Sequence, residues 1–181
     1  MTTLRSNCVR AGAVLVPLLL ALSMAAALTA CGFKPRGSNG QYRIPFHTIY
    51  LGFPATSPLG VELRRNLRGL EGVTVVDEAK AAEAKLDVVS EGRGKVILSL
   101  NSQGRVREYL LTYTLVFKVR DSKDAELLGP TEISLKRSIA FNENQTLAKE
   151  SEEVLLYRDM QSDLVQQILR RLTALKPVTP Q

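Results

Sequence analysis

From Tyr109 to Val119 every second residue is apolar or aromatic. Tyr109, Leu111, Tyr113, Leu115, Phe117 and Val119 hold one parity, and Thr112, Thr114, Lys118 and Arg120 hold the other. A period of two sustained this long predicts a strand with one buried face. Ile133, Leu135, Ile139 and Phe141 repeat the pattern against Glu132, Ser134, Lys136 and Ser138, predicting a second long strand. Arg137 falls on its apolar parity, where a long side chain is expected to snorkel to the sheet margin or pair with a carboxylate. Leu86 to Leu100 reads as two strands meeting at a turn, Gly92-Arg93-Gly94, with Val96, Leu98 and Leu100 alternating on one face. Ile44 to Phe53 forms a first strand, with Pro45 near its start and Pro54 after it, and Val73 to Val76 a short one. Turns fall at Asn101 to Gly104 and Asp121 to Gly129, while the Ala-rich Glu78 to Lys85 fits a helical turn or an irregular link equally well.

Two segments change period. Ser57 is placed to cap a helix with Pro58 at its first position, and Leu59, Leu63 and Leu67 follow on one face up to Gly69. From Thr146 to Leu172 the residues Tyr157, Met160, Leu164, Ile168 and Leu172 step by three or four. Glu150, Glu152 and Glu153 lie early in this helix and Arg170 and Arg171 late, as the helix dipole favours, and Pro177 stops it. A strand meander with one helix before it and one after predicts an α+β two-layer sandwich: a mostly antiparallel sheet with both helices on its apolar face.

The N-terminus alters the picture more than any core pattern. Arg5 and Arg10 precede an apolar stretch from Ala11 to Leu28, interrupted by Pro17 and short of the ~20 residues that span a bilayer. It ends in Leu28-Thr29-Ala30-Cys31, which resembles a bacterial lipobox. The expected organisation is therefore a signal peptide at 1–30, an acylated Cys31 with a tether to residue 43, one domain over 44–176, and a tail at 177–181. Several acyl chains make such attachment lasting. Gly32, standing where Asp resembles an inner-membrane retention signal, points to the outer membrane. Removing 30 of 181 residues leaves 151, enough for one core; the leader holds two of the 24 basic residues and none of the 18 acids, so the mature charge is +4. With Cys8 lost and Cys31 acylated, no disulfide is expected. An exported, mildly basic domain excludes nucleic acid and favours anionic lipid, glycolipid or acidic protein surfaces.

Candidate chemistry is sparse. His47 is the sole histidine and has no second ligand nearby in the sequence, so it is expected to be structural and not a metal ligand or a triad member. Gly92-Arg93-Gly94-Lys95 is too short for a phosphate loop, and Asn144-Gln145-Thr146 matches a glycosylation sequon of no consequence in an exported bacterial chain. No enzyme, cofactor or metal is expected. A lipoprotein hydrolase would need His47 as its base, and a binding module of another lipid-transport system remains the alternative reading.

One set of motifs gathers these features: Cys31-Gly32-Phe33-Lys34-Pro35-Arg36-Gly37, Glu108-Tyr109 opening the long strand, Arg137-Ser138 in the next, and Leu147-Ala148-Lys149-Glu150 leading through Glu153 to Arg171-Leu172. In this order they resemble the LptE family of LPS-assembly lipoproteins, across nearly all of the mature chain. The resemblance implies a plug within the outer-membrane β-barrel LptD, on the periplasmic side, which helps that barrel assemble and assists insertion of lipopolysaccharide into the outer leaflet. It also implies lipopolysaccharide contact at Lys149, which falls on the family's basic residue in the Leu-Ala-Lys motif. The family's second basic residue falls near Asn101 or Ser102, so Arg105 and Arg107 just downstream are expected to supply that charge. Lipid A phosphates suit both side chains, Arg as a fork and Lys as a point charge.

Overall fold

The computed structural model describes residues 43–176. Leader, lipobox, tether and Pro177 lie outside them. Strand β1 (Thr48–Gly52) is followed by helix α1 (Pro58–Arg68), strand β2 (Thr74–Val76) and a 3-10 turn at Ala79–Ala81. Strands β3 (Ala84–Leu100), β4 (Val106–Asp121) and β5 (Glu126–Ala140) follow, then a second 3-10 turn at Glu143–Gln145 and helix α2 (Thr146–Thr173). The sheet order is β2-β1-β3-β4-β5. β1 pairs in parallel with β2 and with the start of β3, while β3, β4 and β5 form two long antiparallel ladders. This is the expected α+β sandwich, with a small parallel corner that β1, α1 and β2 build.

Helix α1 begins as its sequence predicts. Ser57 is extended, and its Oγ accepts a hydrogen bond from the Gly60 amide at 3.1 Å, a cap worth ~1 kcal/mol. Gly60 is required by contact: a Cβ there would lie 2.6 Å from the Cβ of Phe53. Leu59, Leu63 and Leu67 are buried against the sheet with Met160, Leu164, Ile168 and Leu172 of α2, and Leu111 to Val119 of β4 supply the other wall. Both helices thus share the one apolar face. On the opposite face Thr112, Thr114, Lys118 and Arg120 are half-buried, and the Thr114 and Ser134 hydroxyls meet across the strands at 3.2 Å.

The hairpin expected at Gly92-Arg93-Gly94 is absent; β3 is one strand of 17 residues, in register with β4 through Gly92, Arg93 and Gly94. Gly94 pairs with Thr112, whose Oγ1 would sit 2.6 Å from any Cβ at that position, so this glycine makes room for a neighbour and does not bend the chain. A long uninterrupted β4 offers its whole edge to β3, and that pairing outweighs two local turn-forming residues. Three further boundaries move. The turn expected at Asp121 to Gly129 closes by Ala125. β4 starts three residues earlier than its apolar pattern, at Val106. β1 is confined to Thr48–Gly52, although Ile44, Phe46 and Phe53 on either side of it still pack into the core.

Candidate functional site

The two hairpins of the antiparallel sheet are built alike. In the β3–β4 turn the Asn101 Oδ1 accepts hydrogen bonds from the Gln103 and Arg105 amides, both at 2.9 Å, and Gly104 takes φ +77°. In the β4–β5 turn the Asp121 Oδ1 does the same for Lys123 and Ala125, both at 2.8 Å, with Asp124 at φ +64°. A side chain that closes the turn fixes the residue after it, so Arg105 leaves the first hairpin at a set position.

Arg105 and Arg107 line a shallow cleft of about 260 Å³ with Asn101, Phe141, Asn142 and Glu143. Phe141 also lines the neighbouring cleft of about 230 Å³, where Lys95, Tyr109, Lys149, Glu150 and Glu153 meet. The Phe141 amide donates to the Arg107 carbonyl at 2.8 Å, which ties the β5–α2 corner to the base of the hairpin. The structure therefore brings Lys149, Arg105 and Arg107 to one end of the sheet.

Carboxylates accompany these cations. Arg105 pairs with Glu143 at 3.3 Å and Lys149 with Glu152 at 2.7 Å, while the Arg107 side chain has no hydrogen-bond or ion-pair partner among the described residues. Lys95, a residue without a role in its local sequence pattern, bonds Glu153 at 2.5 Å and lies 4.4 Å from the centre of the Tyr109 ring. The Glu153 bond holds its ammonium above the usual lysine range. The surface is therefore of mixed sign, with Glu143 and Glu152 paired to two of the three cations. Lys95 could have been found from sequence once Arg93, Lys95 and Ile97 are placed on one parity of an unbroken strand.

Beneath this end the core turns from aliphatic to polar. The Tyr113 ring is fully buried; its hydroxyl donates to Glu91 at 2.6 Å, and Glu91 also accepts from Ser57 Oγ at 3.0 Å. Burial and the Glu91 bond push the Tyr113 hydroxyl up to about 12. Arg93 lies over the rings of Tyr113 and Tyr157, at 4.5 and 5.3 Å from their centres, and the Tyr157 hydroxyl donates to the Gly94 carbonyl at 2.7 Å. The network ties α1, β3 and α2 together.

Of the other candidate residues, Arg137 pairs with Asp163 at 2.8 Å, the carboxylate partner expected of it. The His47 side chain is 85% exposed and 3.7 Å from Glu83. Among the described residues no cluster of His, Cys, Asp or Glu could hold a metal ion, and no helix is long and apolar enough to cross a membrane.

Comparison with known proteins matches residues 46–172 to the family described as LptE, lipopolysaccharide-assembly. The LPS-assembly lipoprotein LptE of Pectobacterium atrosepticum is 28% identical over 158 residues, covering 84% of this chain and 83% of its own. That of Yersinia enterocolitica is 28% identical over 160 residues, covering 86% and 74%. Among solved structures, lipoprotein B of Nitrosomonas europaea superposes with a TM-score of 0.68 at 42% identity, covering 79% of this chain and 91% of its own. Rare lipoprotein B of Shewanella oneidensis gives 0.61 at 26% identity, covering 70% and 94%. A family match over most of the domain, with these folds beside it, places the chain in the LptE family of non-enzymatic lipopolysaccharide-assembly lipoproteins.

Proposed function

We propose that this chain is an outer-membrane lipoprotein, acylated on Cys31 and held on the periplasmic side, that plugs the LptD β-barrel and helps it assemble. In this reading it assists insertion of lipopolysaccharide into the outer leaflet by receiving the phosphates of the glycolipid at Lys149, Arg105 and Arg107. It is a binding and assembly role with no bond change.

The observation that carries the reading is the placement of the three cations relative to β1. The described chain enters the sheet through β1, which pairs with Ala84 to Asp87 of β3, level with the Asp121 turn. The cations lie at the opposite end. β4 joins the two ends with 16 residues, a span of about 50 Å, which exceeds the ~30 Å hydrocarbon core. A domain standing along a barrel axis with its β1 end toward the periplasmic leaflet would carry its phosphate-binding end away from that leaflet. The Thr- and Ser-bearing outer face of the sheet suits the hydrated wall of a barrel lumen.

Affinity purification of the tagged full chain from detergent-extracted membranes tests the barrel partner. The proposal expects one large β-barrel protein recovered in amounts close to the chain's own. Recovery of the chain without a barrel, or with the components of a different lipid transporter, overturns it.

A further inference from the structure

The outer edges of the sheet differ in kind. β1 pairs with β3 only as far as Asp87, so from Val88 to Leu100 β3 has β4 on one side and no strand on the other among the described residues. β5, with no strand on its outer edge among the described residues, carries Pro130 and the charges of Glu126, Glu132, Lys136 and Arg137, which discourage strand addition. Arg93 and Lys95 guard β3 in the same way. Past Lys95 the guard stops: Val96, Ile97, Leu98 and Leu100 are 56, 56, 49 and 54% exposed. Ile97 lies opposite Tyr109 on the helix side, and Val96 opposite Leu110 on the other, so this short edge is apolar on both faces. Water on both faces of four apolar side chains, beside unpaired backbone amides, is an arrangement that strand addition relieves.

We propose that this edge pairs with its counterpart in a second copy of the chain, β3 antiparallel to β3, about a two-fold axis close to Ile97. A two-fold interface sets a surface against itself, so it requires an edge that matches its own reverse. An axis at Ile97 does this. Ile97 faces Ile97 of the other copy, Val96 faces Leu98, and Lys95 faces Ser99, while Arg93 and Lys95 are kept away from their own copies. An axis at the middle of the free edge would instead bring Arg93 beside Lys95. The helix layer permits the approach, since α2 leaves Ile97 open to solvent. Irregular pairing with β4 on both sides of Ser99 shortens the straight stretch, so the pair is short and the dimer reversible. The inference does not depend on lipopolysaccharide or on the barrel. If the barrel reading also holds, the dimer is the state of copies outside the barrel.

Oxidative cross-linking of the full chain in its own membranes tests it. Directly opposed residues of an antiparallel pair lie about 4.5–5.5 Å apart at Cα, within the span of a disulfide. Ile97→Cys should therefore give a reducible product of twice the chain's mass, whereas the parent and Ser122→Cys, at the far turn, should not. Adding Val96→Lys and Leu98→Lys to Ile97→Cys should cut the yield about tenfold or more, because two like charges enter the edge from each copy, with circular dichroism unchanged. Val96→Cys combined with Leu98→Cys, which this axis sets opposite each other across the pair, serves in the same protocol if Ile97→Cys disturbs the fold. A dimer yield no higher than that of Ser122→Cys overturns the proposal. So does a product whose mass reveals a different protein on the edge.

Discussion

The two ends of β4 carry the same turn and opposite surroundings. At the Asp121 end the hairpin closes into its own ion cluster. Arg120 bonds Asp87 at 2.6 Å and Asp124 at 2.9 Å, and Lys85 reaches Asp124 at 2.8 Å. The Lys85 bond holds the Asp124 carboxyl below the usual range, and the strands leading there are packed under α1 and the end of α2. At the Asn101 end the hairpin projects past the core: Arg105 is exposed, Arg107 is unpaired among the described residues, and Leu147 of α2 is 81% exposed. One turn geometry therefore serves a structural end and a presenting end. What separates them is the length by which β3 and β4 outrun the helices.

Breaking the anchor should have the largest effect, because it detaches the whole arrangement from the membrane. Cys31→Ala is expected to abolish incorporation of labelled palmitate and to release the chain from the membrane fraction. Next comes packing. Phe117→Ala, at the structural end, should cost about 3–5 kcal/mol in chemical denaturation. Val96→Ser, at the presenting end, should stay within about 0.5 kcal/mol. Near-equal costs would remove the distinction between the ends.

A smaller effect sharpens where one end gives way to the other. Tyr113→Phe removes a buried hydroxyl shared with Glu91 and Arg93 and should cost about 1–3 kcal/mol. The same group sets an alkaline limit. Its folded value lies above the ordinary 10, at about 12, so the neutral hydroxyl is the form the fold prefers. Stability from this site is complete below pH 10 and is lost as pH rises from about 10 through about 12. Denaturation midpoints across that window should fall in the parent and fall less in Tyr113→Phe.

The structural end was the more legible in sequence. The alternation of β4, the Ser57 cap and the apolar steps of both helices are local signals, and each corresponds to an element in the structure. β3 misled because Gly92-Arg93-Gly94 carries the local chemistry of a turn, whereas its conformation is decided by a partner strand some 20 residues away. The cleft at the presenting end was only half visible. Lys149 and Arg105 could be named from a family resemblance, but Lys95, Glu143 and Glu153 enter through pairings of β3 with α2 and of the first hairpin with the turn before α2, which no sequence window contains. Arg137 shows the intermediate case: the need for a carboxylate was legible, its identity as Asp163 was not.

The account rests on the presenting end receiving an anionic glycolipid, and binding of lipopolysaccharide by the purified chain tests this most directly. With Lys149→Asp and Arg105→Asp combined, two cations are lost and their partners Glu152 and Glu143 are left facing the ligand. Each charge-assisted contact is worth about 1.5–3 kcal/mol before solvent screening reduces it, so binding should weaken about tenfold or more. Circular dichroism and barrel co-purification should stay as in the parent. A folded double mutant that binds lipopolysaccharide as the parent does would contradict the account and move the glycolipid site to another surface of the domain, with the Thr- and Lys-bearing face of the sheet the first to examine.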